Sequence, residues 1–560
     1  MSDPTAVPDR PPRPAATIVV VRDAPGGLEV LLSRRTESRD HTSGAWVFPG
    51  GIVDRNDRAG HAYCSGLDDA EASRRLGLPE CGLDYHVAAV RECFEEAGLL
   101  FATDAGGTLV TLGGAAGELL SGWRTLLHSG ERTLADMCRE TGIRLAVDRL
   151  VYFSHWLTPL GRLKRYDTRF FVAAAPPAQT GAHDGREILE QQWFRPTDAA
   201  ARSVELKLLT PTHKTLEAIS RFGSVAEVLA WAADARDRSV ILPRMGVGRD
   251  GPRPVVPSES AWAEIGRIDP QGAGRASYDI NPGVAVRLSE RVIRVTANNG
   301  SVMTGPGTNT YLVGGGTRNE WAAIDPGPSD MAHVDAVLAA APGPIRWIFA
   351  THTHIDHSPA ARELAARTGA PVYGRRPNHP QWQDPTFAPD RELADGERCE
   401  LPGDTTLRVL HTPGHASNHL CYLLEEEKLL FTGDHVMQLS TVVINPPDGD
   451  MAAYLVSLRA LAQLDLEWLA PGHGFLMPEP RRAIEAIVSH RLKREAKVVA
   501  ALRALGPASA EALLARVYDD VQPRLLPMAL RSLTAHLYKL RTDERAVEQG
   551  DVWTLVGEVG

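Results

Sequence analysis

Between Thr351 and His357 the chain reads Thr-His-Thr-His-Ile-Asp-His, which puts four potential metal ligands within six residues. The apolar run Trp347-Ile348-Phe349-Ala350 precedes it and reads as a buried strand, and Pro359 suits the first turn of a following helix. A regular strand sends alternate side chains to opposite faces, so it cannot aim three imidazoles at one point. A loop at a strand end can. More donors follow: His415 in His-Thr-Pro-Gly-His, Asp434 in Phe-Thr-Gly-Asp, and His473 in Pro-Gly-His-Gly. Each comes after a short apolar run, at 407–410, 429–431 and 468–470. Seven nitrogen and oxygen donors at loop tips suit a pair of zinc-like ions.

A second constellation lies upstream in Arg91-Glu92-Cys93-Phe94-Glu95-Glu96-Ala97-Gly98-Leu99. Glu92, Glu95 and Glu96 are spaced i, i+3, i+4 and share one helical face. Val87, Val90, Phe94 and Ala97 form the apolar side, and Gly98 suits the C-terminal cap. Three carboxylates on one face repel one another unless a cation neutralises them. An all-oxygen cluster of this charge suits Mg²⁺ or Mn²⁺ bound together with substrate phosphates; a solvated acidic face is the plainer reading.

The chain has 560 residues, too many for one core, so two or three domains are expected. A net charge of −10 argues against a globally basic nucleic-acid coat. The six cysteines form no CxxC pair, which fits a reducing compartment and no thiolate metal site. With no signal peptide and no apolar stretch of spanning length, a cytoplasmic protein without membrane contact is expected.

Residues 1–14 hold five prolines and read as a loose tail. A first domain is expected over 12–235, opening with strands at 16–21 and 28–32 around Pro25-Gly26-Gly27. The stretch 236–285 is rich in Pro, Gly and Arg and reads as a linker with one short helix near 261–265. Residues 286–490 alternate strands and helices, an α/β pattern. Residues 491–560 read as three short helices and a hairpin around Gly550-Asp551, a winged-helix module. From Arg481 to Arg541 there are twelve Lys and Arg against five Asp and Glu, either an anion- or nucleic-acid-binding surface or a solvated helical face.

HxHxDH, HTPGH, GD and PGHG, in that order, resemble the metallo-β-lactamase fold superfamily. TNTYLV at 308–313 and SHRLKRE at 489–495 make the stretch from about 291 to 556 similar to its lactamase-beta-2 type. The resemblance implies two sheets sandwiched between helices (αββα). It implies that His352, His354 and His415 hold one zinc, that Asp356, His357 and His473 hold a second, and that Asp434 bridges them. Asp356 is also the catalytic candidate, and Asp325 would support the site rather than coordinate. Two zinc ions roughly 3.5–4 Å apart can lower the pKa of a shared water towards ~7, so no serine or cysteine nucleophile is needed. His419 would either touch substrate or, like His411 and His435, serve structure. Pro359-Ala360 stands where the pattern commonly has a glycine pair. Members of that type include single-strand-specific endoribonucleases, and near relatives are thioester hydrolases similar to glyoxalase II.

REcFEEaGL after Phe48-Pro49-Gly50-Gly51 resembles the Nudix box of the interrupted kind found in peroxisomal coenzyme A diphosphatases, a likeness strengthened by residues 158–171. Asp57 stands where the box usually carries glutamate, and Arg91 falls 26 residues later than the usual spacing gives. Leu31, Leu32, Thr36, Gly44 and Pro49-Gly50-Gly51 are similar to a coenzyme A signature, but Asp40 stands where that signature carries another residue. The resemblance implies an α/β/α sandwich in which Glu92, Glu95 and Glu96 hold Mg²⁺ or Mn²⁺, Arg91 orients them, and water attacks a phosphoanhydride. Arg91, Glu95 and Glu96 are thus the catalytic candidates. Glu187 or Glu190 would be a base from another loop, or a solvated acid.

The expectation is a multidomain α/β and α+β hydrolase with two metal sites. The zinc site would act on a small thioester or ester, or on single-stranded RNA. The Nudix site would act on a nucleoside-diphosphate-linked compound such as a coenzyme A derivative. The alternative is an endoribonuclease-like hydrolase whose Nudix half only senses nucleotide. No oligomeric state follows from the sequence.

Overall fold

The hairpin expected around Pro25-Gly26-Gly27 forms, with Val21 opposite Val30 and Ala24 opposite Gly27. The computed structural model describes residues 11–36, 43–181, 187–234, 238–380, 383–438 and 442–557; most of the expected tail and Asp40 lie outside the described residues. The tail is shorter than expected, because from Arg13 the chain pairs in parallel with Tyr166 onwards. The chain divides into two units, Met1–Met245 with Gln271–Ala273, and Gly246–Pro270 with Gly274–Gly560.

In the first unit an 8-stranded sheet runs Val240–Ile241, Val151–Leu157, Tyr166–Ala174, Arg13–Ala24, Gly27–Arg35, Trp46–Val47, with Gly50–Ile52 and Ile188–Phe194 paired off this path. The residues that interrupt the glutamate motif are folded. They form a 3-10 turn (Arg55–Tyr63), helix α1 (Asp69–Leu76) and the first turns of helix α2 (Gly82–Ala97). Val87, Val90, Phe94 and Ala97 are buried against Ala16, Ile18, Val20 and Phe171, as the helical spacing predicts. Gly98 caps α2 in the left-handed conformation, φ 66°, its N–H donating to the Phe94 carbonyl.

In the second unit a 7-stranded sheet and a 6-stranded sheet run in chain order, Ala285–Arg287 to Arg391–Glu392 and Arg398–Leu401 to Met477–Pro478. Val292, Tyr311, Ile324 and Phe349 of the first meet Leu407, Leu420, Tyr422 and Phe431 of the second in one core. The outer face of the first sheet packs Ile293, Leu312 and Ile348 on the helices Met331–Ala340 and Ala361–Thr368. The second packs Cys421, Leu430 and Leu469 on the helix Met451–Leu461 and on Ile484. Alternation along each strand feeds both faces, and the layers are helix, sheet, sheet, helix.

Most of the stretch expected to be a linker is instead folded into the second unit, as Gly246–Pro270 and the residues from Gly274 on, while Val240–Ile241 joins the first unit's sheet. Helix α3 (Trp262–Ile268) and the residues around it bury Val255, Ala261, Ile265, Ala276 and Tyr278 with Phe475. The Pro and Gly content sets turns here without preventing a small apolar core. The expected boundary at 490/491 also moves, because it falls inside helix α4 (Pro480–Leu505), unbroken over 26 residues. From there Ala510–Val517, helix α5 (Leu526–Thr542) and the hairpin Ala546–Gln549/Val552–Leu555 close a separate core of Val498, Leu502, Leu513, Leu533, Leu537 and Trp553. Among the described residues no helix is long and apolar enough to cross a membrane. The six cysteines form no disulfide.

Candidate metal centre

The strand Ile345–Phe349 ends at the loop that carries His352, His354, Asp356 and His357. The strands Thr405–His411, Leu429–Gly433 and Trp468–Pro471 end at His415, Asp434 and His473. These ends converge. Among the described residues two groups bring ligand atoms within 4.8 Å of one another: His352, His354, His415; and Asp356, His357, Asp434, His473. In the first, His354 Nδ1 is 3.0 Å from both His352 Nε2 and His415 Nε2. In the second, Asp434 Oδ1 lies 3.3 Å from His357 Nε2 and 3.2 Å from His473 Nε2, and Asp356 Oδ2 lies 3.4 Å from both nitrogens. The other oxygen of Asp434 is 3.7 Å from His415 Nε2, so this one carboxylate faces both sets. Gly472 allows the approach, since a Cβ there would lie 2.7 Å from Asp434 Oδ1 and 2.8 Å from His357 Cε1.

The far side of each ring is held. Asp325 accepts from His357 Nδ1 at 2.9 Å, from Thr351 N at 2.7 Å and from Thr351 Oγ1 at 2.8 Å. Thr351 Oγ1 lies 3.0 Å from His352 Nδ1. His415 Nδ1 donates to the Val443 carbonyl at 2.8 Å and His473 Nδ1 to the Gly307 carbonyl at 3.1 Å. Carbonyl and carboxylate acceptors fix Nδ1–H on His357, His415 and His473 and leave each Nε2 lone pair open. The Nε2 atoms of His357 and His473 and Oδ1 of Asp434 are buried without a hydrogen bond, the state in which a cation would complete them. Arg491 of the SHRLKRE segment donates to the Val442 carbonyl, beside the one that holds His415.

Charge follows the same division. Burial, reinforced by neighbouring imidazoles, holds His352 well below the usual imidazole range, and burial with His415 brings His354 to about 3. That set is neutral. In the other set burial is outweighed by carboxylates: Asp356 and Asp434 keep His357 protonated well above its usual range, and Asp434 with Asp356 lifts His473 to about 9. Protons there stand in for the positive charge that two buried carboxylates demand.

His419 is fully buried, stacks on His352 with centroids 5.0 Å apart, and has Nδ1 2.9 Å from Thr412 Oγ1. His435 packs on Tyr454 and His411 bonds the Ser417 carbonyl. Three supporting side chains carry no sequence signal. Gln383 and Asn418 converge on Thr353 Oγ1 at 2.7 and 2.8 Å, and Asp448 accepts from Gln383 at 2.9 Å.

In the first unit Arg91 binds Asp57 through two hydrogen bonds, reaches the Ile52 carbonyl, and donates to Glu92 at 2.7 Å. Glu96 accepts from Gly50 N at 2.9 Å. Gly51 is pressed against Glu92, where a Cβ would lie 2.3 Å from Oε1. The three glutamates share one face as expected but are not among the groups whose donor atoms meet at one point. Burial raises all three: Glu92 above the carboxylate range, Glu95 to about 7, Glu96 well above. Glu187 adds repulsion to each, so it faces the cluster, whereas Glu190 pairs with Arg34 at 3.3 Å. A divalent cation drawing these oxygens together would relieve that repulsion.

Three family models match the chain: the metallo-beta-lactamase superfamily over residues 303–473, the NUDT19 Nudix domain over 70–214, and the beta-lactamase associated winged helix domain over 509–553. The chain is 32% identical to lactamase-like protein aptB of Emericella nidulans, across 47% of this chain and 84% of that one. It is 33% identical to an atrochrysone carboxyl ACP thioesterase of Aspergillus chevalieri, across 39% of this chain and 67% of that one. It is 30% identical to a beta-lactamase-like protein 2 homolog of Drosophila melanogaster, across 45% and 90%.

Proposed function

Since this chain belongs to the metallo-β-lactamase superfamily, with a Nudix domain and a lactamase-associated winged helix in the same polypeptide, we propose that it is a hydrolase with two metal sites, one for an acyl thioester and one for a diphosphate. The observation that carries this is the pair of facing donor sets joined through Asp434, in the half of the chain that is similar to a protein named as a thioesterase. His352, His354 and His415 would hold one zinc, and Asp356, His357 and His473 the other. Divalent ions there supply Lewis-acid polarisation of the carbonyl and a lowered pKa for water.

The chain's own residues do the rest. Asp325 and Thr351 keep His357 and His352 in the tautomers that turn Nε2 inwards. Asp356, 21% exposed against 10% for Asp434, is the carboxylate open to the attacking water and takes its proton. The new C–O bond forms as the C–S bond breaks, and the proton passes to the departing thiolate. At the glutamate helix Glu92, Glu95 and Glu96 would hold Mg²⁺ or Mn²⁺, which would neutralise charge on the diphosphate; Glu187 takes the proton of the attacking water as its oxygen bonds phosphorus, and the P–O–P bridge breaks to release the second phosphate as the leaving group.

Two features favour a thioester over RNA. Ile355, between two ligand residues, is 67% exposed, and Val302 and Met303 are exposed on the loop that leads to Thr308, which donates to Asp356. Such a rim suits an apolar acyl group. Part of the basic C-terminal region is also paired within the chain, with Arg494 on Asp520, Lys497 on Asp519, and Lys539 on Glu495 and Asp543.

The test uses the full chain with acyl-coenzyme A thioesters, coenzyme A and single-stranded RNA as substrates. His354→Ala should abolish thioester cleavage alone, and Glu95→Gln with Glu96→Gln should abolish diphosphate cleavage alone. RNA cleavage lost in His354→Ala, without thioester turnover in the wild type, would overturn the thioester reading. Nucleotide binding without turnover would make the Nudix domain a sensor.

A further inference from the structure

Glu264 lies on α3, outside the segment matched to the metallo-β-lactamase superfamily, yet its side chain is almost fully buried. Both its oxygens bond Arg294, Oε2 to Nη1 at 2.7 Å and Oε1 to Nη2 at 2.9 Å. Glu264 Oε2 also accepts from Leu476 N at 2.8 Å. Arg294, equally buried, donates onward to the Gly474 carbonyl at 3.4 Å. These two backbone contacts lie one and three residues beyond His473. Asn309 secures the same turn, with Nδ2 reaching the Pro471 and Gly474 carbonyls at 3.0 and 2.9 Å, and Tyr311 donates to Pro471 at 2.8 Å.

A turn with several carbonyls facing inwards needs donors, and a buried guanidinium among them needs a counter-charge. Asn309 and Tyr311 belong to the matched segment. The charged pair does not, and it carries the turn's C-terminal half. We infer that Glu264 and Arg294 are positioning residues for the second metal subsite: they set the turn 471–476 so that His473 Nε2 meets Asp356 and Asp434. The connector is then a working part of the hydrolase, and a hydrolase cut free at residue 286 would lack it. This rests on the reading of His473 as a ligand.

The experiment is zinc stoichiometry by elemental analysis on the full chain, after dialysis against a mild chelator, beside hydrogen exchange of the wild type with and without zinc. Glu264→Gln should keep one tightly held zinc and bind the second 10–100-fold more weakly, with diphosphate cleavage unchanged. Should that variant not fold, Glu264→Leu/Arg294→Met removes both charges together and should show the same selective loss. In the wild type, zinc should increase protection of residues 262–268 and of the Leu476 amide. Two zinc ions held at wild-type affinity in a folded variant, or no change in protection, would overturn the inference. His473→Ala separates the two readings: if it retains both zinc ions, the ligand assignment fails instead.

Discussion

Arg91 and Asp57, 34 residues apart, are joined by two parallel hydrogen bonds, Nε to Oδ1 at 2.8 Å and Nη2 to Oδ2 at 3.0 Å. The pair rebuilds in space what the interruption separates in sequence. The shorter acid at 57 reaches Arg91 because the turn Arg55–Tyr63, started by Asp54, carries it to α2.

Asp57→Asn should therefore release Arg91 to pair more fully with Glu92 and Glu95. The expected outcome is at least a tenfold fall in diphosphate cleavage and a loss of about 3 kcal/mol from unfolding of the first unit. Steady-state rates and denaturant titration check it.

His354→Ala removes the nitrogen that faces both His352 and His415. Bound zinc should fall by at least one per chain and thioester cleavage by a hundredfold or more, with diphosphate cleavage unaltered. Full metal content and full rate in this variant would refute the ligand set.

Asp325 has φ 52°, a left-handed backbone that asparagine tolerates well. Asp325→Asn thus keeps the shape and removes the charge that holds His357 Nδ1–H. Zinc affinity should drop by about 10–100-fold with little change in melting of the zinc-free protein. Competition with a chromophoric chelator measures it.

Ile355→Ser and Met303→Ser reduce the apolar rim. Against a series of acyl chain lengths, KM should rise several-fold for long chains and stay flat for acetyl, with kcat nearly constant. A uniform fall across the series would remove these side chains from acyl recognition.

His86, buried against Phe171 with Nδ1 on the Gly82 carbonyl, is lowered by burial to about 4. Its folded pKa lies below the unfolded value of about 6.5, so the unfolded chain binds the extra proton. Stability from this group is complete above about pH 6.5 and is lost as pH falls towards 4, by about 3 kcal/mol. His86→Gln should flatten the difference in unfolding free energy between pH 7 and pH 5.

The two facing donor sets were readable because each donor sits just past an apolar run, and a strand end is where a loop can turn a side chain inwards. The face of α2 was readable from its spacing. What the sequence hid depends on distant partners. Glu264 finds Arg294 30 residues on and Leu476 212 residues on, from a seven-residue helix too short to show a period. Helix α4 begins eleven residues before the expected module because Pro480 opens it from Glu479, whose side chain makes no capping bond to mark the start. Glu187 comes within electrostatic reach of Glu92, Glu95 and Glu96 only through the fold, and no spacing along the chain reports that.

Helix α4 runs unbroken for 26 residues, about 39 Å, from the layer that packs on the second sheet into the winged module. A rod seated at its two ends in two cores leaves no hinge between them, so the winged module is expected to melt together with the sandwich and not ahead of it.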